Sequence, residues 1–409
     1  MRRRSALTVA WMPAARGLRL PALAALSVTR GAGAAVLAAP TLLAAQGPAC
    51  PTAFVAWGEG GLWVGRPGAA LQRLDAAGPC LVAPALTAHG LWAATGDGQL
   101  QHWRIGAQAQ LVWREPQTTP IRALVASADG AHVLAAQGEQ LSLLDGRGAL
   151  LKRYDGVDLA RRQRGVANAL FHLPQRRSFV AAWPALGELW EIQLDPQAPP
   201  VFDGLVHDYR MGEGLPTPGH LGVRRSPLGM PMPALMFADT RAAWLAGQIG
   251  DELVVVHLDV RRRIAAFALP GARTPGALLW QPGREAAMSW WVPHGAAVQT
   301  IDPARWALGP RLVLPAAVRG LQPLASGAVA WVGEGAGSLL LAWRDGAWQP
   351  LAPGLAGLHR WAVDPAGAHL LVATAQPELI QLLDAEGRVL QRWPMPAGCD
   401  GLAWCPRPS

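Results

Sequence analysis

The residues best suited to metal or redox chemistry are four cysteines: Cys50, Cys80, Cys399 and Cys405. None belongs to a Cys-x-x-Cys-His sequence and no Cys/His spacing is typical of zinc, so we expect neither a c-type haem nor a zinc site. All four lie near the two ends of residues 50–405. If those ends meet in the fold, disulfides can form in an oxidising compartment, but the sequence does not choose among the three connectivities that four cysteines allow.

The chain also has ten histidines, a few of which stand where an iron ligand or an acid–base group is conceivable. His359 opens the segment GLHRWAVD, and His294 lies in WWVPHGAAV. Isolated histidines of this kind are more often satisfied core or surface groups than ligands. His132 and His369 occupy equivalent positions in a repeat, which favours a structural role. No Ser-His-Asp order, phosphate loop or paired-carboxylate site stands out.

Arginine dominates the charge of the chain. Its 36 Lys and Arg against 28 Asp and Glu give a net charge of +8, and Lys152 is the only lysine. The arginines are scattered, with short clusters at Arg161–Arg164, Arg224–Arg225 and Arg261–Arg263 that we interpret as solvated strand ends and loops. Nucleic-acid binders usually gather their cations on one element with interleaved aromatic residues, so we expect no nucleic-acid partner.

The elements that position these residues are predicted by an internal repeat. Residues 127–154 (SADGAHVLAAQGEQLSLLDGRGALLKRY) and 363–393 (VDPAGAHLLVATAQPELIQLLDAEGRVLQRW) share a turn, an Ala-His strand, a Leu-Leu-Asp strand, a Gly turn and a last strand. A weaker copy runs through Arg241–Leu269. A small sheet of this kind cannot bury both of its faces alone, so the copies must stack around a ring.

We therefore predict an all-β fold, an eight-bladed β-propeller, as one domain over residues 50–405. The blades are expected near 53–75, 81–115, 121–155, 165–200, 231–269, 275–311, 316–352 and 358–394. The tail Asp400–Cys405 is expected to add a strand to the first or last blade and to close the ring. Residues 201–230 do not fit a blade and are interpreted as a long insertion, a feature that is usually functional or mobile.

Residues 1–45 are expected to be a signal or leader segment. Arg2, Arg3 and Arg4 give a basic start, and an Ala-rich apolar stretch follows from Leu18 to Ala45. This pattern predicts export to the periplasm. After removal of the leader no apolar run is long enough to span a bilayer, so we expect no transmembrane segment.

Two segments resemble a known family. RRSFVAAWPALGELWEIQLDPQAPPVFDGLVHDYRMGEG (176–214) and VVVHLDVRRRIAAFALPG (254–271) are similar to the haem d1 domain of cytochrome cd1 nitrite reductases and of the related haem d1 biosynthesis proteins. The biosynthetic and c-d1-like relatives are the nearer match. The resemblance extends along most of 120–395 and is poor in the first two blades.

The resemblance implies haem d1 in an axial pocket, its carboxylates balanced by arginines. It places Arg122 (in PIRALVASADG) and Arg164 (in RGVANALF) as pocket arginines, and His207 and Arg210 in the HDYRMGEG stretch. The iron ligand is then His359 or His207, or no protein residue. Two alternatives remain open: a blade-start arginine pairs with an acid of the neighbouring blade, or His207 and Arg210 only pin the insertion to the rim.

Departures from the family pattern bear on activity. Thr274 in LPGARTPGAL stands where relatives carry a pocket histidine, Ala234 or a neighbour stands where nitrite-reducing members carry another, and the early iron-binding histidine has no counterpart near Cys80–Leu81. Because nitrite reduction needs proton donors beside the substrate, we do not expect it of this chain. Whether the protein is an enzyme at all is left open.

Two functions are weighed. The first is a periplasmic haem d1-type protein that binds haem d1 or a precursor and assists its maturation or transfer for dissimilatory nitrite reduction. Its partners are then the tetrapyrrole and other proteins of the haem d1 pathway or the nitrite reductase. The alternative is a diverged, non-catalytic propeller that acts as an interaction scaffold in the denitrification and cytochrome system. An oxidoreductase acting on the macrocycle is a weaker third hypothesis, because no c-type haem is expected to take the electrons.

Overall fold

The computed structural model describes residues 26–27, 36–37, 53–74, 78–88, 90–159, 161–202, 216–229, 234–239, 244–272, 277–280, 288–325, 327–352, 355 and 357–406. Within these ranges the chain is built of strands, with short 3-10 turns at Pro174–Arg176, Pro184–Leu186 and Gly335–Gly337 and no α-helix. A two-stranded pair, β1 (Leu26–Ser27) and β2 (Val36–Leu37), precedes eight four-stranded antiparallel sheets.

The eight sheets follow one another along the chain and are numbered here as blades I to VIII. Blades I to IV are formed by β3 (Phe54–Gly58), β4 (Gly61–Gly65) and β5 (Gln72–Arg73) with β34 (Cys399–Trp404); β6 (Ala85–Thr87), β7 (Gly90–Ala94), β8 (Gln99–Ile105) and β9 (Ala109–Pro116); β10 (Ile121–Ala126), β11 (His132–Gln137), β12 (Gln140–Asp145) and β13 (Leu150–Asp155); and β14 (Ala169–Leu173), β15 (Ser178–Trp183), β16 (Glu188–Gln193) and β17 (Val223–Pro227).

Blades V to VIII have the same order of strands from the inside outwards. They are formed by β18 (Ala234–Asp239), β19 (Trp244–Ile249), β20 (Glu252–His257) and β21 (Arg262–Ala268); β22 (Ala277–Trp280), β23 (Met288–Pro293), β24 (Ala297–Asp302) and β25 (Ala307–Val313); β26 (Val318–Leu324), β27 (Gly327–Val332), β28 (Leu339–Arg344) and β29 (Ala347–Ala352); and β30 (Leu358–Val363), β31 (His369–Ala375), β32 (Glu378–Asp384) and β33 (Val389–Pro394). The predicted ring of eight blades is confirmed.

The repeat is reproduced in the register of blades III and VIII. His132 pairs with Asp145, and His369 pairs with Asp384, so the two histidines begin the second strand of their blades. Each is held by the turn before it: the His132 amide donates to the Ser127 hydroxyl (2.9 Å) and the His369 amide to an Asp364 carboxylate oxygen (2.8 Å). These side-chain bonds to the backbone fix the reversal of the chain, which is the structural role the repeat predicted.

The hydrophobic core consists of eight separate wedges, one between each pair of neighbouring blades. The second strand of a blade is buried on both of its faces. In β11, for example, Val133–Ala136 are all buried. Their alternate residues pack against different neighbours, so Val133 belongs to the wedge between blades II and III and Leu134 to the wedge between III and IV. This explains why such strands are continuous apolar runs rather than alternating ones.

The ring is closed by the last strand of the chain. β34 pairs antiparallel with β3, from Phe54 opposite Trp404 to Gly58 opposite Cys399, and supplies the innermost strand of blade I. The Trp404 indole packs against Phe54 with 5.9 Å between ring centroids, and its N–H donates to the Ala362 carbonyl of blade VIII (3.3 Å). The predicted closure by the tail is confirmed, and blade I is the one that receives it.

Part of the expected insertion belongs to a blade. Val223–Pro227 forms β17, the outer strand of blade IV, and Val201 makes an isolated bridge to Thr217, so the prediction that 201–230 lies outside the blades is wrong at its C-terminal end.

The interpretation of Arg224 and Arg225 as solvated strand ends is also wrong. Arg224 lies 3.4 Å from the buried Glu191 carboxylate, and Arg225 lies 3.3 Å from Glu188 and stacks over Trp190.

Cys80, Cys399 and Cys405 are buried and free, and Cys50 lies outside the described residues. Burial raises the pKa of the Cys80 and Cys405 thiols to about 12 and that of Cys399 to about 11, so these thiols are unreactive at neutral pH.

Most of the expected leader, residues 1–45, lies outside the described residues. The four leader residues that are described form strands, and no described helix is long and apolar enough to cross a membrane.

Truncation of the closing tryptophan tests the ring. Trp404→Ala leaves a cavity between blades VIII and I and removes the bond to Ala362, so we expect a loss of about 3–5 kcal/mol in the free energy of unfolding. Urea unfolding followed by tryptophan fluorescence measures it. The control is Val313→Ala, at a side chain 75% exposed, which should leave the midpoint unchanged. Equal midpoints for the two variants would contradict the role given to β34.

The buried carboxylate of blade IV gives a second test. Glu191 is 1% exposed and accepts from Arg176 (2.6 and 3.0 Å) and Ser178 (3.0 Å). Glu191→Gln leaves two guanidinium groups without their shared counter-charge, and we expect a loss of about 3 kcal/mol. Thermal unfolding compares it with Glu386→Gln, which removes an exposed partner of Arg388 and should not shift the midpoint.

Candidate functional site

One end of the ring collects the first residues of the inner strands. The first strand of each of blades II to VIII, and β34 in blade I, is the innermost of its sheet, and these strands contact one another around the axis. Because the blades repeat one topology, all inner strands run in the same direction. Their first residues therefore surround one opening, which we call the axial mouth.

A repeated β-bulge shapes the axial mouth. In blades III, V, VII, VIII and I the pairing between the inner and second strands skips one residue close to the start of the inner strand. The skipped residues are Arg122, Met236, Arg319, His359 and Asp400. A bulge turns a side chain away from the regular alternation and is common beside functional sites. The bulges thus bring two arginines, a histidine and an aspartate to the same level of the ring.

His359 sits in the best-defined part of the mouth, where blade VIII meets blade I. The imidazole is half-buried, and its buried Nδ1 atom has no hydrogen-bond partner within the described residues. Burial first and the Arg360 charge second lower the pKa of His359, against the opposing effect of the Cys399 and Gly357 carbonyls. A neutral, half-buried imidazole can act as an iron ligand or as a hydrogen-bond partner of a ligand.

Arg360 and Asp400 hold this corner together. The Arg360 guanidinium lies 3.5 Å from the Asp400 carboxylate, and it also donates to the Asp400 carbonyl and to the His359 carbonyl (2.6 Å). The closing strand and blade VIII are therefore linked directly at the mouth. Arg360 is only partly available to a ligand, because each of these bonds occupies donors of its guanidinium.

Arg319 occupies the equivalent bulge in blade VII. It forms an ion pair with Glu334, which precedes the 3-10 turn Gly335–Gly337. The Gly335 carbonyl accepts a bond from the Gly357 amide (3.0 Å) and so joins this turn to the start of β30. Gly320 lies beneath the Trp361 ring, and a Cβ atom there would be 2.9 Å from the indole, so only glycine allows the two inner strands to approach this closely.

The two arginines predicted from the sequence both lie at this end of the ring, but only one of them forms an ion pair. Arg122 is exposed on its bulge and makes no ion pair with a described residue. Arg164 lies in the connection that leads to β14 and pairs with Glu139 of blade III at 3.3 Å, with both side chains about half exposed. The alternative we left open, an arginine paired with an acid of the neighbouring blade, therefore describes Arg164. His207, Arg210, Glu213 and Thr274 lie outside the described residues, as does the side chain of Ala234.

A second group of titratable residues lies at the opposite end, between blades III and IV. His172, near the end of β14, is packed against the Phe179 ring (centroids 5.4 Å apart) and interacts with the charges of Asp129 and His132. Burial, reinforced by His132 and opposed by Asp129, lowers the pKa of His172 to about 4. Among the residues the structure describes, no three His, Cys, Asp or Glu side chains are arranged to hold a metal ion. We assign this group to the packing of the blades.

Comparison with known proteins identifies the architecture. No protein-family model and no curated protein matches the sequence. Among solved structures, the dihydro-heme d1 dehydrogenase NirN in complex with DHE matches 88% of this chain and 77% of its own, with 18% identity and a TM-score of 0.64. BamB from Moraxella catarrhalis matches 79% of this chain and 90% of its own, with 12% identity and a TM-score of 0.52.

The chain is an eight-bladed β-propeller. At such identities the likeness shows the fold alone, and 1334 solved chains match it, so the likeness by itself selects no activity. What the propeller does has to be argued from the groups at its axial mouth.

Sequence reasoning found Arg122, Arg164 and His359 and missed Arg319, Arg360 and Asp400. A usable signal was present in the inner strands. Ile121-Arg122-Ala123, Val318-Arg319-Gly320 and Leu358-His359-Arg360 each carry a polar residue directly after an apolar one at the start of a strand. Alignment of the blades on their inner strands would have identified Arg319; the contacts of Arg360 with Asp400 depend on ring closure and could not be read from spacing.

The pKa of His172 predicts a pH dependence of stability. The unfolded chain titrates this group near its ordinary value of about 6.5, so between pH 6.5 and 4 the unfolded state binds more protons. Stability is therefore complete above pH 6.5 and falls by roughly 3 kcal/mol towards pH 4. We expect His172→Gln to make the unfolding midpoint less dependent on pH between pH 6.5 and pH 4. A slope equal to that of wild type, or of the control His294→Gln at a half-buried histidine, would refute the assignment.

Proposed function

We propose that this propeller is a periplasmic haem d1-type protein that binds haem d1 or a precursor at its axial mouth and assists the maturation or transfer of that group for dissimilatory nitrite reduction. Export is inferred from the basic, then Ala-rich pattern of residues 1–45. The choice of tetrapyrrole is supported by the resemblance of residues 176–214 and 254–271 to the haem d1 family, and by the likeness in fold to a dihydro-heme d1 dehydrogenase.

The observation that carries the proposal is the set of bulges at the mouth. They bring Arg122, Arg319 and His359 to one level of the ring, with Arg360 beside them. A carboxylated macrocycle needs guanidinium groups around its edge and a nitrogen donor near its centre. Arg122, without an ion-pair partner in the described chain, is the first candidate for a ligand carboxylate, and the half-buried His359 is the first candidate for the iron. Bound haem d1 would supply the redox chemistry of its iron.

The protein's own contribution is to bind and orient. Arg319 can exchange its exposed partner Glu334 for a ligand carboxylate, since Glu334 is 71% exposed and the pair gives up little when it opens. The lowered pKa of His359 keeps the imidazole neutral at pH 7, the state required for coordination. Within the described part of the axial mouth, His359 is a group that can exchange a proton with a bound ligand.

One observation favours the second candidate function, a non-catalytic interaction scaffold. Arg164, Arg319 and Arg360 already face Glu139, Glu334 and Asp400, so the charge at the mouth is largely balanced without a ligand. A surface of paired charges is typical of a protein–protein contact that is steered by complementarity. Under this hypothesis the retained family motifs keep the fold and a partner protein occupies the mouth.

A spectroscopic titration distinguishes the two. Purified protein mixed with haem d1 is expected to shift the Soret band and to show saturable binding by calorimetry. Arg122→Gln should weaken binding about tenfold, and His359→Ala should change the position of the band. Arg305→Gln, at a side chain 83% exposed on a turn of blade VI, is the matched control and should bind as wild type does.

An unchanged Soret band in the wild-type protein, with no heat of binding, would overturn the cofactor proposal. Capture of a periplasmic partner by colourless protein would then favour the scaffold. Binding that is the same in wild type, Arg122→Gln and His359→Ala would show that the tetrapyrrole sits elsewhere on the ring, and the assignment of the axial mouth would be wrong.

A further inference from the structure

A cross-strand pair recurs between the third and outer strands of the blades. On the face directed at the preceding blade, a large residue of the third strand, buried in each case except the half-buried Trp63, is paired with an arginine of the outer strand. The pairs are Trp63 with Arg73, Gln101 with Arg114, Trp190 with Arg225, Gln299 with Arg311 and Gln381 with Arg392, in blades I, II, IV, VI and VIII.

Two of these pairs show what the large residue does. Arg225 lies over the Trp190 ring at 4.2 Å, and Arg392 donates to the Gln381 side-chain carbonyl at 3.3 Å. The third-strand side chain therefore fills the space between two blades and gives the flat guanidinium a flat partner. Its burial is nearly complete: Trp190 is 1% exposed and Gln381 is 6% exposed.

Blade III has the arginine without the large partner. In the same register Arg153 is paired with Ser142, whose side chain ends at a hydroxyl. Ala135 stands beside Ser142, where the twin blade VIII has Val372 beside Gln381. A cavity of about 440 Å³ that Ser142 and Ala135 line lies here between blades II and III. The Arg153 guanidinium makes no ion pair with a described residue.

The walls of this cavity are chemically mixed. Leu100, Ala135 and Leu144 form an apolar floor, and the Trp113 ring forms one wall. Trp113 is held there by Trp92 (ring centroids 5.4 Å apart) and by Gly148, where a Cβ atom would lie 2.6 Å from the indole. The position of the aromatic wall therefore depends on glycine at 148.

The uncharged polar side chains that line the cavity are hydrogen-bonded to one another, whereas its charged side chains lie at the rim. Ser142 donates to Gln137 (2.9 Å) and Gln137 donates to Gln117 (2.7 Å), so these side chains are ordered by one another. The charged residues that line the cavity are Arg147, Arg153 and Glu115. The local balance is positive, and it favours an anion at the arginine end of the cavity.

We propose that this cavity binds a small carboxylate with a flat, apolar body. The body takes the volume that a Gln or Trp side chain fills in the other blades and packs between Trp113 and the apolar floor. The carboxylate accepts from Arg153 as the Gln381 carbonyl accepts from Arg392. A planar carboxylate matches the guanidinium fork that the other blades present to planar partners. The site lies away from the axial mouth and does not depend on the function proposed for it.

Ligand-observed NMR and calorimetry on the full chain test the proposal. Indole-3-acetate and benzoate are the probes, with neutral indole and benzamide as their uncharged counterparts. We expect saturable binding of the carboxylates and at least about tenfold weaker binding of the neutral molecules.

Two variants locate the site. Ser142→Gln installs the residue of blade VIII beside Arg153, where its side-chain amide competes with the carboxylate for the guanidinium, and should weaken binding at least about tenfold while the thermal midpoint stays the same or rises. Arg153→Gln should weaken carboxylate binding about tenfold. Arg392→Gln removes the equivalent arginine of blade VIII and is the matched control, because its partner Gln381 already fills the space; it should bind the probes as wild type does.

Four results would overturn the proposal. They are no binding of either carboxylate, unchanged binding in Ser142→Gln, neutral probes that bind as tightly as the acids, and loss of binding in Arg122→Gln or His359→Ala. The last result would place the probes at the axial mouth instead of between blades II and III. Because the probes are not tetrapyrroles, failure here leaves the haem d1 proposal untouched, and failure of the haem titration leaves this site untouched.

Discussion

A four-stranded sheet has two apolar faces, and in this protein neither face is covered by a helix within the described residues. Each face is instead covered by the neighbouring sheet, which is why the core is divided into eight wedges instead of being gathered at a centre. Such an arrangement is satisfied only when the ring is complete. The pairing of β34 with β3 supplies the last wedge, so the two ends of the domain hold one another and the remaining blades depend on that contact.

Ring closure also determines the chemistry of the axis. Because every inner strand begins at the same end, bulges in different blades bring residues that are far apart in sequence to one opening. The result is a mouth in which most cations have an acidic partner and His359 is kept neutral by burial and by Arg360. This balance is compatible with a ligand that exchanges for exposed acids, and equally with a protein partner that meets a surface of alternating charge.

Repetition makes a single departure informative. Five blades share a large third-strand residue beside an outer-strand arginine, and blade III keeps the arginine while its third-strand residue is a serine. In a fold without repeats, nothing would show that a serine beside a cavity is unusual. Here the equivalent third-strand residues of the other blades are larger, and they show which kind of group normally contacts the guanidinium. The same logic applies to Gly148 and Gly320, which are small because an indole of an adjacent blade occupies the space above them.

The sequence by itself determined the number of blades, their positions within a few residues, and the role of the tail, because these follow from local turn chemistry and strand-length apolar runs that repeat. It also identified His132 and His369 as structural. It did not reveal that Val223–Pro227 returns to blade IV, since a strand after an insertion finds its partner through long-range pairing. Nor did it reveal that Arg224 and Arg225 meet Glu191 and Glu188, or that Arg360 meets Asp400. Bulge register and contacts between blades are decided by the ring as a whole, because they join residues that only closure brings together.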